Sequence, residues 1–260
     1  MSDLLLSLGA LGPLLTPRLI ALSIAAVFFS SILRGFTGFG FALAAVPLLG
    51  LFMSPTQAVP VAIGLQLMGS LIDFRHATKS CHWPSLRWMM LGAAIGSPIG
   101  ALVLSHVPAP VSRLVISAIT LLAVLALGRG FALPAMPGRA VTTITGFFAG
   151  LFNGLAAMPG PPAVAYYMSV PLPRANVRAS LMVFFLLTSV AAMASGLAIG
   201  LVTVQTLCLS LLGLPMMWIG TQLGHMAFIR SHDALHRRVS ILSLGAIALV
   251  SAAKGISELL

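Results

Sequence analysis

Apolar residues fill long stretches of the chain, and short groups of proline, glycine or charged residues separate them. Stretches of this length predict membrane-spanning helices, and they lack the alternating pattern of membrane β-strands. The predicted helical segments are 18–33, 36–53, 56–73, 86–105, 111–128, 140–157, 161–170, 177–200, 204–229 and 239–258. Segment 161–170 is too short for a bilayer, which takes about 20 residues, so we expect a half-helix or part of a re-entrant hairpin.

The composition supports the same membrane location. Hydrophobic residues make up 59% of the chain, charged residues only 7%, and the mean hydropathy is +1.08. A soluble domain carries about 25% charged residues, so this chain could not cover itself in water. We therefore predict an all-α, multi-pass protein of the lipid bilayer. The formal net charge of +10 comes from bases between apolar segments, which does not indicate nucleic-acid binding.

The loops alternate between basic and uncharged. Lysine or arginine occurs in loops 74–87, 129–139, 171–178 and 230–238, and is absent from 53–55, 106–110 and 201–203. Counting segments puts all the basic loops on one side, which the positive-inside rule makes cytoplasmic. This side assignment also holds if 18–53 and 140–170 are re-entrant pairs.

The two halves of the chain resemble each other at a separation of about 120 residues. Pro55-Thr56-Gln57-Ala58-Val59 resembles Pro173-Arg174-Ala175-Asn176-Val177, and Gly96-Ser97-Pro98-Ile99-Gly100 resembles Gly220-Thr221-Gln222-Leu223-Gly224. Each half contains five segments, and an odd number gives the halves opposite orientations. We predict one membrane domain built as a 5+5 inverted repeat, with units 18–128 and 140–258, an architecture typical of secondary transporters.

Glycine and proline interrupt two of the segments at comparable places. One interruption spans 34–47, and the other spans 150–170 with Pro159, Pro161 and Pro162. Three missing amide donors make a continuous helix there very unfavourable. Broken or re-entrant helices in inverted-repeat carriers point their ends at a substrate near the bilayer midplane.

The candidate substrate-binding residues lie in or near these interruptions. Arg34 could bind an anion, extend to lipid head groups or cap helix carbonyls, and Asn153 could contact ligand or join two helices. Gln66 is the most central polar residue, and Tyr166 belongs either to an interfacial aromatic belt or to the site. The full set is Arg34, Thr37, Gly38, Phe39, Gly40, Gln66, Asn153, Gly154, Gly160, Pro161 and Tyr166.

Acidic residues are scarce and peripheral. Asp3, Asp73, Asp233 and Glu258 lie near the termini or at loop edges. Without an acid in the membrane, an anionic substrate is favoured, and export is the favoured direction because each anionic charge leaving a negative interior gains about 2.3 kcal/mol per 100 mV. No cofactor, metal site or nucleophile–base pair is indicated, so an enzyme is not expected.

The pattern Arg34-Gly-Phe-Thr-Gly-Phe-Gly-Phe-Ala-Leu-Ala-Ala-Val-Pro47 resembles the first signature of the sulfite exporter TauE/SafE family, also called the 4-toluene sulfonate uptake permease family. Gly146-Phe-Phe-Ala-Gly-Leu-Phe-Asn-Gly154 with Gly160-Pro-Pro162 resembles the second. Many members have three adjacent glycines where this chain has Gly38-Phe39-Gly40.

This resemblance implies a bacterial inner-membrane transporter of sulfite, sulfoacetate or related organosulfonates. An anion channel and a proton- or sodium-coupled uptake permease for organic anions remain as alternatives. Small carriers often form dimers, so a homodimer is among the partners that we consider.

Overall fold

The computed structural model describes residues 16–37, 40–71, 78–128, 135–230 and 233–259, and every regular element in these ranges is helical. The predicted all-helical class is confirmed. The helices of nine residues or more are α1 (Pro17–Thr37), α2 (Phe41–Leu49), α3 (Pro55–Leu71), α4 (Trp83–His106), α5 (Ala109–Gly128), α6 (Arg139–Ala156), α7 (Gly160–Ser169), α8 (Arg174–Ile199), α9 (Val204–Ile229) and α10 (Asp233–Ser257).

Within the described ranges, four stretches are long and apolar enough to cross a membrane, judged by length and composition: Pro17–Phe36, Trp83–His106, Ala175–Ile199 and Val204–Ala227. Shorter apolar stretches lie in α5 and α10. Large apolar side chains such as those of Phe29, Leu125, Trp218 and Leu242 are exposed on the outside of the bundle. An outer surface of this kind suits lipid rather than water.

Helices α4 and α6 cross with their backbones in direct contact. Glycine recurs at every fourth position, at 92, 96 and 100 in α4 and at 146, 150 and 154 in α6. A Cβ atom on Gly96 would lie 2.1 Å from the carbonyl oxygen of Phe147, and one on Gly154 would lie 2.1 Å from that of Ser97. The two helices run parallel, and only glycine permits such a close approach.

Helices α1 and α9 cross in the same manner. A Cβ atom on Gly224 would lie 2.1 Å from the carbonyl oxygen of Ile32, and one on Gly35 would lie 2.1 Å from that of Thr221. A Cβ atom on Gly220 would lie 2.7 Å from the carbonyl oxygen of Phe28. Each crossing joins a helix from the first half of the chain to one from the second half.

The short helix α7 folds back along α6. The hydroxyl group of Tyr166 is 2.9 Å from Thr142 Oγ1 near the start of α6. The hydroxyl group of Tyr167 is 3.1 Å from Ser85 Oγ near the start of α4. The start of α8 joins the same end, because the His82 amide donates to Ser180 Oγ at 2.9 Å. We call this end, formed by the starts of α4, α6 and α8, the basic end.

Charged side chains tie three segments together at the opposite end of the bundle. Buried Arg113 of α5 donates from Nε to the Gly50 carbonyl at 3.0 Å and from Nη2 to the Met53 carbonyl at 3.2 Å. The same guanidinium pairs with Glu258, and Lys254 donates to the Leu51 carbonyl. The end of α2, the start of α5 and the end of α10 therefore meet there.

We predict that Gly96→Ala lowers the thermal unfolding temperature of the detergent-purified protein. The added Cβ would meet the Phe147 carbonyl, which cannot rotate away, so the helices must separate at a cost of about 1–3 kcal/mol. Gly245→Ala in α10 is the matched control, because nothing lies within 4 Å of its Cβ position. Alanine's better helix propensity should leave that variant unchanged or slightly more stable. Equal unfolding temperatures for the two variants would contradict the close crossing.

Candidate functional site

A left-handed residue ends α6 one turn after a buried asparagine. Ala157 has φ 57°, the only positive value at a non-glycine position among the described residues. Its amide donates to the Asn153 carbonyl at 2.7 Å, and the Met158 amide donates to the Phe152 carbonyl at 3.1 Å. These bonds close the last turn of α6. The chain then turns back and begins α7 at Gly160.

The other interruption begins α2. Gly40 precedes that helix with φ 98°, a left-handed conformation that favours glycine. Every residue of α2 except Leu48 is buried. Gly38 and Phe39 of the predicted set lie outside the described residues, and the structure gives Thr37 as the last residue of α1 without describing its side chain.

Asn153 is fully buried and holds a fixed orientation. Its Nδ2 donates to the Thr188 carbonyl of α8 at 2.8 Å. A carbonyl oxygen can only accept, so the amide nitrogen must face Thr188 and Oδ1 must face away. Among the described residues Oδ1 has no hydrogen-bond partner. Leaving such an oxygen unsatisfied costs about 1–3 kcal/mol, so a water molecule or a ligand is expected beside it.

Three further buried side-chain oxygens lack a partner among the described residues. They are Ser23 Oγ of α1, Ser97 Oγ on a fully buried residue of α4, and Gln66 Oε1 on a residue of α3 that is 9% exposed. The Ser97 backbone contacts Gly154, so Ser97 and Asn153 belong to the same helix crossing. The sequence analysis did not include Ser97 among the candidates, although a serine between Gly96 and Pro98 in an apolar segment was an available signal.

Arg34 turns into the bundle near the end of α1. A Cβ atom on Gly69 of α3 would lie 2.8 Å from Arg34 Nη1 and 2.2 Å from the Met217 Cε atom of α9. The Nη1 atom is shielded from solvent. The guanidinium group therefore lies between α3 and α9.

The remaining predicted residues divide between two regions. Gly154 contacts α4 through its backbone, which gives it a packing role. Half-buried Gly160 and Pro161 follow the break after Asn153, and the nearest atom to a Cβ on Gly160 would be Phe185 Cζ at 3.9 Å. Tyr166 lies at the basic end, where its hydroxyl contacts Thr142, eleven residues before Asn153. Eleven helical residues correspond to about 16 Å along the axis.

The region around the breaks combines neutral hydrogen-bonding groups with one guanidinium. Glu258 lies at the far end of the bundle, Asp233 begins α10, and Asp3 and Asp73 lie outside the described residues. Within the described ranges no group of histidine, cysteine or acidic residues could hold a metal ion. Cys81 and Cys208 are both free, and burial raises the pKa of the Cys81 thiol. The Arg34 guanidinium is a group suited to binding an oxyanion.

We predict opposite effects from exchanging glycine and alanine at the two left-handed positions. Gly40→Ala places a Cβ at φ 98° and should destabilise the protein by about 1–2 kcal/mol. Ala157→Gly relieves the same strain, partly offset by greater freedom of the unfolded chain, and should raise the unfolding temperature slightly. Differential scanning fluorimetry in one detergent compares both variants, and changes of the same sign would refute the interpretation.

The chain matches the family model described as Sulfite exporter TauE/SafE over residues 23–251. No curated protein and no solved structure gives a significant match. The family match covers both helix crossings and both breaks.

Proposed function

The chain belongs to the sulfite exporter TauE/SafE family, whose members are membrane transporters and not enzymes, and on that premise we propose that it exports a small sulfur-containing anion. Sulfite, sulfoacetate and related organosulfonates are the proposed substrates, and the bacterial inner membrane is the proposed location. The proposed position of the site rests on Asn153. This residue is fully buried beside the break between α6 and α7, and its Oδ1 has no hydrogen-bond partner among the described residues.

We further propose that the helices form a 5+5 inverted repeat with units 18–128 and 140–258. Its support is the equivalence of contacts at the two crossings. Gly100 faces the Leu151 carbonyl and Gly224 faces the Ile32 carbonyl, each at 2.1 Å from the Cβ position. The contact of Gly154 with the Ser97 carbonyl corresponds in the same way to the contact of Gly35 with the Thr221 carbonyl. Corresponding residues in these pairs are about 120 positions apart, which is the separation of the sequence repeat.

In this proposal the substrate binds near the midplane, between broken helices at 34–47 and 150–170. Asn153 retains a second Nδ2 hydrogen for a substrate oxygen, while its Oδ1 accepts from water. Ser97 Oγ is a second neutral group at the same crossing. Arg34 supplies positive charge, because its guanidinium turns between α3 and α9. Neutral donors with one guanidinium bind an anion without holding it so tightly that release becomes slow.

Export needs no coupling ion in this arrangement. The membrane potential favours outward movement of an anion by about 2.3 kcal/mol for each charge and 100 mV. Of the acids, only Glu258 has a described side-chain position, and it pairs with Arg113 at the end opposite the basic end. A carboxylate at that position is not placed to relay protons through the middle of the bundle.

We predict that Asn153→Ala and Arg34→Ala each reduce transport about tenfold or more, because each removes a hydrogen bond to a charged ligand. Proteoliposomes loaded with labelled sulfite or an organosulfonate measure potential-driven efflux. Asn176→Ala and Arg178→Ala are matched controls, because Asn176 is half-buried and Arg178 exposed near the start of α8. Normal efflux from both test variants, with folding unchanged, would place the binding site elsewhere.

Transport measurements distinguish the exporter from a channel and from a coupled uptake permease. A channel would give single-channel currents far above carrier rates in planar bilayers. A coupled uptake permease would accumulate substrate only with a proton or sodium gradient. Efflux that follows the membrane potential alone supports the exporter.

We predict that the basic end faces the cytoplasm. In a Cys81→Ser, Cys208→Ser background, exposed Lys79 and Thr203 can each be replaced by cysteine. A membrane-impermeant maleimide should label Thr203→Cys in intact cells, and Lys79→Cys only after permeabilisation. The reverse pattern would overturn the orientation.

A further inference from the structure

A second polar region lies at the basic end, away from Asn153. It is a cleft of about 550 Å³ between the starts of α4 and α6. Its polar lining consists of His82, Ser85, Arg87, Arg139, Thr142 and Tyr166. Among the described residues no carboxylate lines the cleft or pairs with either arginine. The cleft therefore carries net positive charge that the described protein groups leave uncompensated.

The two arginines enter the cleft from different helices. Arg139, the first residue of α6, stacks over the Trp88 ring of α4 with its guanidinium carbon 5.3 Å from the ring centroid. Stacking uses the flat face of a guanidinium and leaves its N–H edge available to an oxyanion. Arg87 is the residue next to Trp88 and also lines the cleft. Two guanidiniums, one from α4 and one from α6, therefore line the same cleft.

One neutral donor also lines the cleft. The Nδ1 atom of His82 accepts the Ser85 amide at 3.3 Å, which leaves the hydrogen of the neutral ring on Nε2. The Thr142 hydroxyl donates to the Gly138 carbonyl at 3.2 Å and accepts from the Tyr166 hydroxyl at 2.9 Å, so these two groups shape the wall of the cleft and the His82 ring supplies the neutral donor. The starts of α4 and α6 add the partial positive charge of two helix N-termini.

We propose that this cleft is a binding site for an oxyanion, separate from the midplane site. The ligand is a phosphate-type group, supplied either by the head group of an anionic lipid or by a free anion on the same side of the membrane. Leu91 lines the cleft and is 53% exposed, so the cleft borders the apolar outer surface, where a lipid can place its chains. Arg87 and Arg139 are themselves exposed, so a free anion can also reach them.

Tryptophan fluorescence tests the site, because an anion bound at the edge of the stacked Arg139 guanidinium changes the electrostatic surroundings of the Trp88 ring. One arm titrates inorganic phosphate into detergent-purified protein, against choline chloride at equal ionic strength. The other arm compares nanodiscs of phosphatidylcholine with increasing phosphatidylglycerol. We expect a saturating change in at least one arm. A response to phosphate identifies a free anion, and a response in nanodiscs alone identifies a lipid head group.

Variants assign the signal to the cleft. Trp88→Phe should remove the change, which excludes Trp83 and Trp218 as its source. The Arg87→Gln, Arg139→Gln double variant should weaken apparent binding about tenfold or more. Arg178→Gln, an exposed arginine that does not line the cleft, should bind normally. The proposal is overturned if neither arm responds, or if the double variant and Arg178→Gln behave alike.

Discussion

Direct backbone contact at two helix crossings is the constraint on which the rest of this structure depends. Lipid chains are as apolar as leucine, so burying side chains gives helices in a bilayer little reason to associate. Close approach at glycine provides dispersion contacts and Cα–H···O bonds instead. Gly96 and Gly154 hold α4 against α6, while Gly35 and Gly224 hold α1 against α9. These contacts set the positions of all four helices.

The crossings also fix the breaks, because a crossing glycine lies just before each one. Gly154 contacts Ser97 three residues before Ala157, where α6 has ended. Gly35 contacts Thr221 five residues before Gly40, where α2 is about to begin. Asn153 neighbours Gly154, so the same contact that packs the helices orients the amide towards Thr188. The proposed substrate site lies beside this crossing, so close helix packing would keep its geometry without help from lipid.

Part of this arrangement could be predicted from the sequence for a simple reason. A backbone in lipid must satisfy its own hydrogen bonds, so long apolar stretches predict helices. The proline, glycine and charged residues between those stretches then mark where the helices end. Asn153 and Arg34 could be selected because polar groups are costly there. The roles of the glycines were harder to predict, because glycine permits a left-handed conformation at Gly40 and a close helix contact at Gly154. The sequence predicted a half-helix or re-entrant hairpin at 161–170, but it did not show that Tyr166 would meet Thr142 near the start of α6.

The two polar regions differ in a way that fits transport in one direction. The cleft at the basic end offers two arginines to an oxyanion. The region around Asn153, about 16 Å along α6, offers mainly neutral polar groups. A strongly positive entrance raises the local concentration of anions, and a weaker interior lets them leave. In the proposed exporter, a cleft that binds free anions precedes the proposed midplane site on the outward path. If the cleft instead binds a lipid head group, the bound lipid neutralises the positive charge of the cleft and lowers the supply of anions. The identity of the cleft's ligand therefore decides whether anionic lipids oppose the proposed export.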